Sequence, residues 1–196
     1  MANHVHTHVN FHRISDAGKE VLKELYSRVR KGEDYEWFSD MFVDGEEGSP
    51  TYEESGLYTF THENVGPKWC YFEEFGEDYI NMESAWTCPE TGMEWVFEQV
   101  GKADPDFIAY VTYEDECPNF AGVYVYTNEG VYDGFEDDSE EIRQYMIENV
   151  EGLAEEWNEE DEEFSDEGQD LYSEMIWETI SDYQMDFVHS ILEELK

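Results

Sequence analysis

An α+β fold, an antiparallel sheet with helices on one face and an acidic helical extension at the C-terminal end, is predicted by three observations. Residues 4–12, HVHTHVNFH, alternate strictly between apolar and polar, as a half-buried strand does. Helical and strand-like periodicities then follow one another in mixed order from residue 16 to residue 126, which suits helices layered on a sheet. Between residues 133 and 167 the composition changes: seventeen of thirty-five residues are Asp or Glu, and only Arg143 is basic.

In the first strand, Val5, Thr7, Val9 and Phe11 fall on one face and His4, His6, His8, Asn10 and His12 on the other. Four histidines on one face admit a metal reading, because imidazole is the commonest transition-metal ligand. Neighbours at i and i+2 lie about 6.6 Å apart along a strand, however, and no carboxylate or cysteine motif stands beside them in sequence. Structural or surface histidines are therefore expected, with no metal and no cofactor.

Ser15 can cap a helix over residues 16–31, with Val21, Leu22, Leu25, Tyr26 and Val29 inward and lysines and arginines outward. Residues 34–43 predict a short amphipathic helix, residues 44–56 a loop, and residues 57–61 a short strand. From Gly66 the chain reads as β-rich: GPKWCYFEEF, a turn at 76–78, then YINMESAW. A turn at 88–89 leads into a helix over 90–100 with Met93, Val96, Phe97 and Val100 inward. Strands over 107–113 and 120–126 form a hairpin around residues 114–119. Strand, helix, strands, helix, strands is the ferredoxin-like order.

Residues 138–150 predict a helix with Ile142, Tyr145, Met146 and Val150 inward, and residues 153–164 continue it through Leu153, Trp157 and Phe164. Gly168 breaks the pattern before a long amphipathic helix over 169–196, whose apolar stripe includes Tyr172, Ile176, Ile180, Val188 and Leu192. Packing of that stripe onto the sheet is the first reading, and a homodimer or partner interface the second. The division expected is a core over 1–132, with an insertion at 32–65, and an extension over 133–196 packed on it.

The net charge is −41, and it is unevenly spread. Residues 1–31 carry six basic and three acidic side chains, so the remaining residues carry −44. Such a chain repels nucleic acid and attracts basic partners over long range, more weakly as salt rises. Aromatics make up 16% of the residues, which excludes a disordered acidic tail. Adaptation to high salt would also produce acidity, but it would spread the acids evenly and would not bring so many aromatics. Three cysteines with no CxxC pair suit a reducing cytoplasm, and no apolar run reaches the roughly 18 residues of a membrane span.

No GxGxxG, P-loop, GxSxG, HExxH or Cys–His metal spacing occurs. Residues 133–141 lack the sixth-position glycine of a calcium loop. Cys117 stands among Glu114, Asp115 and Glu116, a setting that does not favour a nucleophilic role. No catalytic residue is singled out, and the chain is not expected to be an enzyme.

The segments MANH at 1–4, GPKW at 66–69, MESAWTCPE at 82–90 and YEDECPNFAG at 113–122 together resemble the Api-type ferredoxin-like family of bacteriophages and integrated mobile elements. The resemblance covers residues 1–13 and 66–132. The family usually has Ser-Pro-Pro after the tryptophan, where this chain has Thr87-Cys88-Pro89. What the resemblance implies is a ferredoxin-like fold and a phage or mobile-element origin; it brings no catalytic residues.

The function expected on these grounds is non-enzymatic: a phage-type protein in the host cytoplasm that mimics nucleic-acid charge. Its partner would be a basic host nucleic-acid-binding protein, a defence nuclease above all. The residues expected to meet that partner are Asp137, Asp138, Glu140, Glu141, Glu155, Glu156, Glu159, Glu160, Asp161, Glu162, Glu163, Asp166 and Glu167. The alternatives are a modulator of a host regulator or polymerase, acting on a basic surface of its target, and a metal protein or enzyme built on the histidine face.

Overall fold

The alternation at the N-terminus forms strand β1 (His4–Arg13), and its apolar face lies at the centre of the molecule, with Val5, Val9 and Phe11 all buried. The computed structural model describes residues 3–31, 34–42, 54–158 and 163–196, apart from the side chains of 54–58. Helix α1 (Asp16–Ser27) follows, with the Ser15 hydroxyl accepting from the Gly18 backbone N–H. The two-residue strand β2 (Glu36–Trp37) comes next. Then come helix α2 (Glu54–Asn64), strands β3 (Cys70–Phe75) and β4 (Tyr79–Ala85), and helix α3 (Glu90–Ala103). Strands β5 (Ile108–Asp115), β6 (Phe120–Thr127) and β7 (Gly130–Asp138) lead to helix α4 (Ser139–Asn149). A two-stranded ribbon, β8 (Trp157–Asn158) and β9 (Glu163–Phe164), precedes the long helix α5 (Asp166–Glu194).

Seven of these strands form one sheet in the order β2-β3-β4-β1-β5-β6-β7, antiparallel at every pairing. On one face α1 and α3 pack through Leu22, Leu25, Met93, Val96, Phe97 and Val100 against Val5, Val9 and Val111. The opposite face of β5 and β6, through Ile108, Val123 and Val125, receives Val188, Ile191 and Leu192 of α5. Ala121 of β6 meets Ile142 and Met146 of α4 and Ile176 and Ile180 of α5. Helices thus cover both faces of the sheet, where one face was expected, because the apolar stripe of α5 docks on the back of β5 and β6.

One close approach depends on a glycine. Tyr113 of β5 lies across Gly122 of β6, where a Cβ would come within 2.3 Å of the phenol oxygen, and its hydroxyl donates to Glu136 of β7 at 2.6 Å. On the other face of the same strand pair, the buried Gln184 amide of α5 donates to the Tyr113 and Gly122 carbonyls at 3.2 and 2.9 Å.

Several expectations need correction. Residues 57–61 lie inside α2, not in a strand. Gly66, at φ +113°, closes that helical segment, with the Val65 and Gly66 N–H groups both donating to the Thr61 carbonyl. Residues 34–42 form β2 and one 3-10 turn (Phe38–Phe42), not an amphipathic helix; the turn is held by Asp40, which accepts from the Arg30 guanidinium at 2.9 Å. Residues 43–53 lie outside the described residues. Helix α1 stops at Ser27, four residues early. The boundary expected at 132/133 falls inside β7, which pairs with β6 as far as Asp138. Residues 153–164 are not one helix. A 3-10 turn (Leu153–Glu156) gives way to the β8–β9 ribbon, where the Trp157 and Phe164 rings pack on each other.

Among the described residues no helix is long and apolar enough to cross a membrane.

Candidate functional site: an acidic helical face

Helix α5 buries Ile176, Ile180, Gln184, Val188 and Leu192, a row with four-residue spacing. Its acids are spaced the same way: Asp166, Asp170, Glu174, Glu178, Asp182 and Asp186 are all exposed. Glu174, Glu178, Asp182 and Asp186 each lie two positions from a member of the buried series, roughly 200° round a helix of 3.6 residues per turn, and Asp166 and Asp170 continue their spacing toward the N-terminus. A row of residues four apart drifts by about 40° per step, but the buried row drifts equally. The carboxylates therefore stay on the outer side along the whole helix. From Asp166 to Asp186 the row spans about 30 Å at 1.5 Å per residue, one charge every 6 Å or so.

Helix α4 extends this surface sideways. Tyr145 of α4 stacks on Tyr183 of α5, with ring centroids 4.1 Å apart. Tyr183 packs on Phe135 of β7 at 4.7 Å and lies close to Asp137. Burial and the nearby Asp186 and Asp182 push the Tyr145 phenol above its ordinary value. Asp137 is also raised, by burial first and by Glu141 second. Asp137, Glu141, Asp182 and Asp186 thus gather around one aromatic pair. From residue 133 onward the only lysine or arginine residues are Arg143 and Lys196. Arg143 is paired with Glu140 and lies over the Trp157 ring at 4.7 Å, and Lys196 is paired with Glu193.

The residues expected from sequence divide into two kinds. Asp138 is the N-cap of α4, accepting from the Glu140 and Glu141 N–H groups at 2.9 and 3.1 Å, while Glu141 accepts from the Asp138 N–H at 2.9 Å. This capping box gives both carboxylates a structural task. Glu156 holds the Ser165 hydroxyl, and Ser165 caps α5. Asp137, Glu140, Asp166 and Glu167 contribute to the acidic face, the last two in the first turn of α5, where negative charge suits the helix dipole. Glu155 and Glu163 are exposed, in the 3-10 turn and in β9. Glu159, Glu160, Asp161 and Glu162 lie outside the described residues. Trp157 and Phe164 pack on each other at 4.8 Å, and Phe164 packs on Tyr172 at 5.3 Å, so they anchor the ribbon.

The acids of α5 from Asp170 to Asp186 were missed at the sequence level. Their signal was an acid at every fourth position, which the denser run before it obscured.

The acidic face has a pH signature. A carboxyl whose folded value is raised holds its proton more tightly folded than unfolded. Asp137 therefore favours the fold most below its ordinary value of 3.8, and that contribution is lost as pH rises through the raised value. Asp137→Asn, with nothing to titrate, flattens the fall in stability as pH rises above 3.8; urea midpoints across that range measure it, and an unchanged profile contradicts it.

Comparison with protein-family models, with curated proteins and with solved structures finds no match to this chain.

Proposed function

We propose that the chain is a non-enzymatic mimic of nucleic-acid charge that occupies the basic groove of a host DNA- or RNA-handling protein, most directly a defence nuclease. The observation that carries this reading is the row of six exposed carboxylates on α5, opposite its docking stripe. A strand of B-DNA carries a charge every 3.4 Å or so. The α5 row supplies about half that density, and Asp137, Glu140 and Glu141 add charge beside it. Because α5 is clamped to the sheet by Gln184, Val188 and Ile191, the carboxylates are already in place before the partner arrives, which lowers the ordering cost of binding. Complementary charge speeds encounter more than it strengthens the final complex.

The fold reading goes with it. Strands and helices run β1-α1-β3-β4-α3-β5, and these four strands lie in the order β3-β4-β1-β5 with α1 and α3 on one face. This order supports a ferredoxin-like reading of the core, with β2, α2, β6, β7, α4, the β8–β9 ribbon and α5 as additions. The resemblance to the Api-type phage family supports a phage or mobile-element origin. Cys70, Cys88 and Cys117 are all free, which favours the host cytoplasm.

The test is a pull-down from bacterial lysate with the tagged chain at low and high salt, challenged with duplex DNA. The expected result is one nucleic-acid-binding protein, released by salt and excluded by the duplex. A retained protein that still holds its DNA contradicts mimicry and favours a modulator of a regulator or polymerase.

A further inference from the structure

Helices α4 and α5 lie over β5, β6 and β7, and the same face of β1, β4 and β3 is left with half-exposed histidines at His4, His6 and His8. Pairing across the sheet brings carboxylates to them that are remote in sequence. His6 sits directly opposite Glu83 of β4, and Glu83 is opposite Tyr71 of β3. Between Phe72 and Glu74 the β3–β4 register shifts by one, leaving Glu73 as the extra residue of a bulge. Bulges re-aim side chains, and this one brings a Glu73 carboxylate oxygen to 3.7 Å from His6 Nδ1.

One ligand atom each from His6, Glu73 and Glu83 lies within 4.8 Å of the other two. A tetrahedral ion with bonds of about 2.0–2.1 Å sets its ligand atoms about 3.4 Å apart, so side-chain adjustments of about an ångström close the set. Glu83 is mostly buried, with its side chain 12% exposed, while His6 and Glu73 are open enough for an ion to enter. The Glu83 carboxyl is also held from behind: His4 Nδ1 lies on one of its oxygens, and Tyr71 faces it across the β3–β4 pairing. Partners of this kind orient metal-binding carboxylates. The Tyr71 ring is itself stacked on Trp69 at 5.7 Å, and the Trp69 ring meets His4 edge-on at 5.3 Å.

We propose that His6, Glu73 and Glu83 bind one divalent transition-metal ion of zinc type on this open sheet face, with His4 and Tyr71 positioning Glu83. One imidazole and two carboxylates suit such an ion, whereas magnesium and calcium prefer all-oxygen ligand sets. Three protein ligands leave a coordination position for water or for a donor atom of a bound molecule, beside the Trp69 and Tyr71 rings. The site is separate from the α5 carboxylate row and stands or falls without it.

The test is calorimetric titration of chelator-stripped protein with zinc chloride, in high salt and excess magnesium so that the diffuse acidic surface is already satisfied. The expected result is one equivalent bound, weakened about tenfold or more by Glu73→Gln and by His6→Asn, and unchanged by Asp182→Asn. Circular dichroism of each metal-free variant establishes that it is folded. X-ray absorption of the zinc-loaded protein should show only nitrogen and oxygen neighbours. A sulfur neighbour, binding erased by magnesium, no binding, or full affinity in folded Glu73→Gln would each overturn the proposal.

Discussion

Replacing Asp170, Glu174, Glu178, Asp182 and Asp186 together with Asn or Gln slows capture of a basic nucleic-acid-binding partner by about a hundredfold at low salt, within the range that charge steering spans. All five side chains are exposed on the outer side of α5, and none of them caps a helix. Removing them relieves like-charge repulsion and leaves the buried row intact, so the variant folds at least as stably as the parent. Association rates at low and high salt measure the effect: the parent and the variant should converge as salt screens the row. Equal rates at low salt would mean that the row takes no part in the encounter. Acids elsewhere serve this experiment less well, because changing Asp138 or Glu141 removes the capping box of α4 along with the charge.

Ile180→Ala destabilises the protein by about 3 kcal/mol, the middle of the range for truncating a buried isoleucine. Ile180 is 5% exposed and packs with Ala121, Ile142, Met146 and Leu153, where β6, α4 and α5 meet. Denaturant unfolding measures the loss. Hydrogen exchange locates it, with protection falling first in α5 and α4 and holding longer in β1, α1 and α3, which belong to the other core. A loss below about 1 kcal/mol would mean that α5 is only loosely attached, and the carboxylate row would then lose its fixed spacing.

The elements with strong periodicity were legible in the sequence. Strict alternation gave β1 its two faces, and the apolar stripe of α5 gave that helix and its docking side. Ser15 at the start of α1 followed from the usual chemistry of helix starts. Short elements were harder to read. The LYTF of residues 57–60 suits a strand as well as a helix, and only the stop at Gly66 pointed to the helix. Strand β7 was hidden because its residues, Asp133, Glu136, Asp137 and Asp138, have the composition of a charged extension; at the edge of a sheet, charges also discourage pairing with other chains.

The same limit applies to the candidate sites. Acid density in residues 133–167 drew attention to carboxylates that partly serve as caps, whereas the extended row on α5 follows from a four-residue period. On the histidine strand no carboxylate was near in sequence. Glu73 and Glu83 reach it only through the β1–β4 and β3–β4 pairings and through a one-residue bulge that no local pattern announces.

The most direct test of the central claim is hydrogen exchange on the complex with the captured partner, following both proteins. Mimicry predicts new protection in α4 and α5 of this chain, around Tyr145, Tyr183 and the carboxylate row, and in the nucleic-acid groove of the partner. Protection confined to β1, β3 and β4 on this chain, or to a surface of the partner away from its nucleic-acid groove, would contradict it.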